Sequence, residues 1–531
     1  MDLVQRKIGG LIGGRKYLIV LDDLWNEDRD TWLSLRNFLI VGGTGSRVLV
    51  TTRSKRTAIV VDDGYKYELE GLSPENSLQL FEMTAFGDKG NNTHDVNYSE
   101  LVKLGKEIVV KCFNVPLAIR VVGTLLYGQN ISKWRSFHDC GLAKLNNGEN
   151  EIMSILKLSY DNLESPLKAC FTYCSLFPKD FKIQKDKLLS LWMAQGYIEP
   201  FNISQSLEDA AEEYFSILLR LCFFRGIEMN KIGGVESFKI HDLIHDLAQK
   251  VAGNDVVALK SIASDLEDSV HHVFHIGSKG SFFPKCKIRS YLHDGFQINF
   301  SVAKLVENWN FLRTLDLHDL DLRALPDSLG NLLHLRYLDL SNNMYLVRLP
   351  DSVLGLYNLQ TLNLNSCLSL KELPKDLAKL VNLRHLDISW CLLTHMPLGL
   401  DKLSCLCVLT QFVVGEANLG ELETLEALTN LRGSIRIVIR CLEKNSKIKK
   451  GYLRRMKYLE TLAVDLVNSE NYETLLEKLE PPSTVKALEL CYYRNTTNPA
   501  KWWRGENNLA TLLKSLWIQD GILKRGGELS I

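Results

Sequence analysis

Asp22 and Asp23 stand side by side at the end of the run Tyr17-Leu-Ile-Val-Leu-Asp-Asp-Leu-Trp25. An apolar run that stops at two carboxylates predicts a buried parallel strand whose carboxyl end delivers acids to a bound nucleotide. One such acid can hold Mg²⁺ beside the phosphates. The loop that would cradle those phosphates, G-x-x-x-x-G-K-[ST], occurs nowhere in the chain. Sixteen residues precede Tyr17, too few for a further strand, that loop and its helix. The plainer alternative is two acids ending a strand as a turn or a helix cap.

Three other groupings could do chemistry. His241 and His245 have the i, i+4 spacing used by zinc proteases, but the residue after His241 is Asp242, not Glu, and no third ligand follows. Cys170 and Cys174 sit one helical turn apart among Phe171, Tyr173 and Phe177. A lone pair cannot close a four-ligand site, so a packed core helix is expected there. His271, His272 and His275 suit a strand entering a repeat array better than a metal site.

These residues need elements to position them. Strand 17–22, a helix around 29–40, the glycine turn Gly42-Gly43-Thr-Gly45, a second strand Arg47–Thr52 and a third at Lys66–Leu69 imply a parallel α/β sheet over 1–70. Ser73-Pro74 is a helix start, with Ser73 as cap and Pro74 in the first turn. Helices are expected onward to about 140, and a second helix-rich block over 150–255 carries a short strand signal at Ser237–Ile240. Residues 256–300 are expected to be a joining segment.

From 301 to 531 the chain repeats itself. Leu-x-x-Leu-x-Leu recurs at Leu312, Leu335, Leu359 and Leu383, in steps of 23, 24 and 24. Leu-Pro or Met-Pro follows in register at 325–326, 349–350, 373–374 and 396–397. Two markers in one register specify a leucine-rich-repeat solenoid, in which each unit buries its leucines against the next. The residues between the leucines are expected on the concave face as a protein-binding surface: Thr314, Asp316 and His318, then Tyr337, Asp339 and Ser341, then Thr361, Asn363 and Asn365, then His385, Asp387 and Ser389. Solvated polar side chains with no ligand are the alternative there. Beyond 410 the pattern loosens but persists at Leu459/Leu462/Val464, Val485/Leu488/Leu490 and Leu513/Leu516/Ile518.

Bulk properties narrow the class. With 531 residues, the chain is too long for one core. Lys+Arg and Asp+Glu are both 63, so no global field favours nucleic acid or an anionic membrane. No run of eighteen apolar residues is present, and Arg6, Lys7, Arg15 and Lys16 break any secretory leader. Twelve cysteines without regular spacing suit a reducing compartment, so a cytoplasmic or nucleocytoplasmic protein is expected.

The blocks together resemble the plant nucleotide-binding leucine-rich-repeat immune receptors, the NB-ARC proteins of the STAND ATPase class. Leu18–Trp25 resembles their Walker B strand, and Gly45-Ser-Arg-Val-Leu-Val-Thr-Thr-Arg53 the block ending in the sensor arginine. Tyr67–Ser73, Leu80–Phe86, Val115-Pro-Leu-Ala118, Cys170–Pro178, Leu191-Trp-Met-Ala-Gln-Gly196 and Ile240-His-Asp242 follow in the family's order. Trp25 and the Cys-Phe-x-Tyr-Cys form are similar to the coiled-coil-type branch. Two positions depart: the family's Gly-Leu-Pro-Leu is Asn114-Val-Pro-Leu117, and the Met of Met-His-Asp is Ile240.

The resemblance implies a multidomain α/β chain: a partial P-loop-NTPase-like sheet (1–70), a helical ARC1 subdomain (71–148), a winged-helix ARC2 subdomain (149–255) and the repeats (301–531). It implies Mg²⁺ near Asp22, the hydrolytic water near Asp23, the γ-phosphate of ATP near Arg53, adenine on Pro116 and the β-phosphate of ADP on His241. An ADP/ATP switch in plant defence is the function expected from it. ATPase activity is expected to be at most weak, and the protein is not expected to act as an enzyme. Recognition of a pathogen effector or guarded host protein would fall to the repeats, with oligomerisation in an intact relative. The winged-helix block lacks a dense basic helix, so direct nucleic-acid binding is not expected. The missing P-loop and coiled coil predict an N-terminally truncated, nucleotide-impaired form. The alternatives are a non-switching repeat protein, acting as decoy or regulator, and a fragment of a longer gene.

Overall fold

A computed structural model describes residues 8–61, 64–87, 98–141, 151–230, 232–259, 266–277, 286–295, 301–415, 421–440, 451–467, 476, 479–492 and 515–519. The chain divides into two units, Met1–Leu72 and Ser73–Ile531.

In the first unit, β1 (Leu18–Leu21) and β2 (Arg47–Val50) pair in parallel, Leu18 opposite Arg47 and Leu21 opposite Val50. The crossover is α1 (Arg29–Leu39), capped by Asp28, whose carboxylate accepts from the amides of Asp30 and Thr31. Two expectations fail here. The apolar run of β1 is not buried on both faces, since Leu18 and Val20 are exposed. A two-stranded sheet among the described residues has too few neighbours to cover both sides. Nor do residues 66–69 form a strand: no ladder is assigned to them, and Tyr67 and Leu69 are exposed.

The second unit opens with helices. α2 (Pro74–Phe86) is capped by Ser73, which accepts from the Asn76 amide, with Pro74 in the first turn as expected. It packs with α3 (Tyr98–Val110) and α4 (Pro116–Leu126) around Phe81, Ile108 and Val122, and Phe81 meets Trp134 edge-on at 5.7 Å. Gly123 permits the α2–α4 approach, because a Cβ there would lie 2.0 Å from the Thr84 hydroxyl.

The winged helix follows. α5 (Ser165–Tyr173), α6 (Lys185–Gln195), α7 (Leu207–Arg220) and α8 (Asp242–Ala252) pack on an antiparallel sheet of order β3 (Ile183–Gln184), β5 (Val235–Ile240), β4 (Phe224–Met229). Only part of β5 was legible beforehand, because Phe224–Met229 is mostly exposed and shows no apolar alternation. Trp192, Phe215, Phe223, Phe238 and Leu247 fill the core.

The solenoid contains an eight-stranded parallel sheet whose inner leucines align in register, Leu315 with Leu338, Leu362 and Leu386. Each Leu-Pro or Met-Pro leads into a short 3₁₀ turn or loop on the far side, as at Asp327–Asn331 and Asp351–Gly355. Asn343 donates to the carbonyls of Leu317 and Leu340, and Cys367 and Cys391 take the same place one and two repeats on. Residues 256–300 are not a mere joiner. β6 (Val256–Leu259), β7 (His272–His275) and β8 (Ser290–His293) begin this sheet. They escaped the repeat pattern because Val273, Ile288 and Tyr291 stand among the solenoid's buried residues there. The loosened repeats hold their shape in a second parallel sheet, which includes Tyr458–Leu466, Ala487–Cys491 and Ser515–Gln519. No helix among the described residues is long and apolar enough to cross a membrane.

Candidate functional site

In the first unit the ends of β1 and β2 bring Asp22, Asp23, Trp25 and Arg53 together. The Thr51 hydroxyl donates to Asp22 and accepts the Asp23 amide at 2.8 Å. Asp23 holds a left-handed backbone, φ 52°, which few non-glycine residues adopt outside functional turns. Arg53 donates through Nε and Nη2 to the two oxygens of Asp23, both at 3.2 Å, and its guanidinium lies 4.3 Å from the Trp25 ring centre. Asp23 and Arg53 were expected to serve water and the γ-phosphate separately; they form one stacked ion pair. Carboxylates at the end of parallel strands suit a cation, and Arg53 suits an anion. The phosphate cradle, however, has no residues in this sequence. These residues alone therefore fit a nucleotide incompletely, and no reaction step follows from them.

In the second unit Pro116 occupies the first turn of α4, preceded by Phe113 and Asn114 at φ 52° and 57°. That left-handed turn explains the Gly-to-Asn departure, since asparagine tolerates the conformation better than other residues with a Cβ. Ser77 Oγ also bonds the Asn114 side chain at 3.1 Å. His241 precedes α8 as its cap residue; its carbonyl accepts the His245 amide at 2.8 Å, and its own amide donates to Phe223. His245 is buried, with Nε2 2.7 Å from the Phe177 carbonyl, so that nitrogen carries the proton and is committed to the core. The His241/His245 pair is thus divided between two environments, unlike a zinc dyad.

The concave face brings the largest correction. Thr314, Asp316, Tyr337, Asp339 and Thr361, expected to meet a protein partner, are buried, and α6 and α7 lie across this part of the face. Lys187 donates to Asp316 at 2.8 Å and lies 3.7 Å from Asp339. Gln195 donates to Ser290 at 2.9 Å and Thr314 at 2.8 Å, and the Ser190 hydroxyl lies 3.0 Å from His385 Nδ1. Arg384 grips Glu208 with two bonds of 2.7 and 2.9 Å, and Arg432 reaches Asp209 at 2.5 Å. Phe274 packs 5.4 Å from Phe181 and 6.1 Å from Phe177. His318, Asn363 and Asp387 remain partly open. Sequence spacing placed Thr314, Asp316, Tyr337, Asp339 and Thr361 on the concave face; Lys187 and Gln195, which bond Asp316 and Thr314, lie more than a hundred residues upstream.

Cys170 and Cys174 are core residues, as expected. Burial pushes both thiols well above their ordinary range, and the same cause raises Cys112, Cys391 and Cys407 to about 12. Thiolate, the reactive form, is then scarce at neutral pH. Native protein treated with iodoacetamide at pH 7.5 should leave these five unmodified, and mass spectrometry should find them alkylated only after denaturation.

Three family models match the chain: the NB-ARC domain over residues 2–91, the disease resistance protein winged helix domain over 176–248 and a leucine-rich repeat region over 287–525. Among curated proteins, the putative disease resistance protein RGA1 of Solanum bulbocastanum is 41% identical over 508 residues, 92% of this chain and 48% of that protein. Disease resistance protein RGA2 of the same species is 36% identical over 97% of this chain and 51% of its own length. The chain belongs to the NB-ARC leucine-rich-repeat disease resistance family. It spans about half the length of these curated relatives. Disease resistance protein RPP13 of Arabidopsis thaliana is 35% identical over 63% of the chain and 40% of its own length. A leucine-rich-repeat protein of Leptospira interrogans covers 51% of the chain and 60% of its own at 20% identity and a TM-score of 0.34, too distant a likeness to carry an argument.

Proposed function

We propose that this NB-ARC protein is an intracellular plant immune receptor whose winged helix and repeats form a conformational latch. The observation that carries this reading is the seam between α6–α7 and the concave face, built largely from ion pairs and polar hydrogen bonds. A permanent core would be expected to be more apolar; polar faces of this kind suit surfaces that separate and are rehydrated. ADP would hold the latch through His241 and Pro116, and ATP exchange would release it. A nucleotide can shift that balance only by binding the two states differently. Asp22 would stand near Mg²⁺, and hydrolysis would serve as reset. Recognition of an effector or guarded host protein would fall to the open concave residues, including His318, Asn363 and Asp387. The compartment in this reading is the cytoplasm, and opening would permit oligomerisation.

The second reading is a non-switching repeat protein, a decoy or regulator. The pairing of Arg53 with Asp23, which commits the two side chains to each other, favours it. Isothermal titration of the whole chain with ADP separates the two. Binding near micromolar that disappears in His241→Ala supports the switch. Absence of binding by the folded protein leaves the non-switching reading in place.

A further inference from the structure

Charge on the two sides of the seam balances with one proton on a histidine pair. Asp316 and Asp339, both buried, face the single ammonium of Lys187. His318 Nδ1 lies 2.7 Å from the other Asp316 oxygen. Burial disfavours a charge on His318, but Asp316 outweighs it and raises the ring's affinity for a proton. A protonated His318 supplies the second positive charge.

His293 is stacked on His318, centroids 4.4 Å apart and planes 13° off parallel. It is buried, its Nε2 has no hydrogen-bond partner among the described residues, and its Nδ1 accepts the Gly295 amide at 3.1 Å. The neutral ring therefore carries its hydrogen on Nε2, and a second proton would have to displace the Gly295 amide from Nδ1. It would also set a cation beside His318 and Lys187, with His275 near and Asp316, already doubly paired, as the facing carboxylate. Burial, with those cations, holds His293 down to about 3.

His272 is a second case. Its nitrogens lie 2.8 Å from Ser290 Oγ and 3.3 Å from Tyr197 Oη, and the Tyr173 ring stands edge-on at 5.1 Å. Tyr173, Tyr197 and the Gln195 that also bonds Ser290 all come from the winged helix. Asp255 at 3.9 Å is the facing carboxylate, opposed by Arg289, Arg313 and His271. Burial holds this ring down to about 4.

A shared metal ion does not suit the His293–Asp316–His318 group. An ion sits in the plane of each imidazole at about 2.0 Å, which two parallel stacked rings cannot both offer to one ion. Lys187 already holds the second Asp316 oxygen.

We propose that the seam is an acid-opened latch: freeing the concave face from the winged helix lets His272 and His293 take up two protons that the closed seam cannot hold. The proposal rests on the latch reading above. Both rings are depressed when closed and return toward about 6.5 in water. Their contribution to closure is therefore complete above about 6.5 and is lost as pH falls below it. His318 acts in the opposite sense: its contribution is complete below about 6.5 and is lost as pH rises through its raised value. Below about 6.5 His272 and His293 dominate, and His318 opposes them by under about twofold. Between pH 6.5 and 5.5 each of the two shifts the open-to-closed ratio by about fivefold, together by about 20-fold once the opposing His318 is counted.

Hydrogen–deuterium exchange of the whole chain at the two pH values, corrected for intrinsic rates, tests this at Lys185–Gln195. The expected loss of protection is about 20-fold in the wild type, about threefold in His272→Gln or His293→Gln and none in the double variant. Strand Tyr458–Leu466 should stay protected throughout. An undiminished acid response in the double variant overturns the proposal, as does equal loss in Tyr458–Leu466, which would mean general unfolding. If circular dichroism shows that the double variant does not fold, the two single variants decide. Lys187→Met at pH 7.5 separates the two layers of the argument. If it exposes the helix while acid leaves the wild type closed, the proton coupling is wrong and the latch stands. If the helix stays protected in that variant too, the latch itself is wrong.

Discussion

Lys187→Met will release α6 from the repeats at neutral pH. Lys187 is the only cation within 4 Å of Asp339 and the main one on Asp316, among the described residues. Its removal leaves buried Asp339 without a cation among the described residues and Asp316 with His318 alone. Breaking a buried pair by deleting one partner costs about 3–5 kcal/mol, because the remaining charge is stranded. The expected result in urea is a first transition at lower denaturant, read from exchange of Lys185–Gln195, while the distant repeats keep their midpoint. The exposed pair Lys379–Asp376 is the control. Lys379→Met should leave both transitions unchanged, since water already screens that pair. Adding Asp316→Asn and Asp339→Asn to Lys187→Met should recover part of the loss.

Glu208→Gln is the second large effect. Burial pushes this carboxyl up, but His385, 3.7 Å away, and the two hydrogen bonds from Arg384 prevail and hold it well below the usual carboxylate range. The two bonds from Arg384 form a planar fork that a glutamine can satisfy only in part. The substitution should destabilise the seam by about 3 kcal/mol, and a double-mutant cycle with Arg384→Met should return a coupling of about 2 kcal/mol. The pH dependence has a definite sign. Because the folded-state carboxyl is depressed, its stabilisation is present above the unfolded value near 4.5 and lost as pH falls through the folded one. Wild type and Glu208→Gln should therefore converge in stability in strong acid and diverge toward neutrality. A constant gap across that range would mean that Glu208 acts by packing alone.

The two pairs bear on function through one geometry. Lys187 and Glu208 belong to consecutive winged-helix helices, and both reach strands of the repeat sheet. A ligand that competes for Asp316 or Arg384 would compete with the chain's own winged helix. Recognition at the covered part of the concave face would then require opening, whereas His318, Asn363 and Asp387 can be touched in the closed form.

Much of this molecule was legible in its residues. Strict steps of 23 and 24 specify stacked strands, because leucines at that period can be buried only against neighbours of the same kind. Ser73-Pro74 announced a helix start, and the alignment of Leu315, Leu338, Leu362 and Leu386 follows from the repeat itself. The ordered blocks from Leu18–Trp25 and Arg53 through Val115–Ala118 and Cys170–Pro178 to Ile240-His-Asp242 carry the resemblance to the family. Other features were not legible. The strands of 256–293 bury valine, phenylalanine, tyrosine and histidine in place of the leucine pattern, so periodicity was silent. The hairpin at 224–240 is mostly exposed on its first strand and carries no alternation. For β1, an apolar run indicates burial only if a sheet is there to cover it, and two strands are not enough.

Local order in the sequence thus determined the elements, the repeat and the lineage, since hydrophobic period and capping act within a few residues. Tertiary structure alone decided which polar residues are available. Lys187 and Asp316 are 129 positions apart, and Arg384 and Glu208 are 176 apart. Nothing in either residue's neighbourhood announces the other, because a buried ion pair is written in two distant places and acquires meaning only when the backbone brings them together. The concave face was predicted as a surface; folding made much of it an interior.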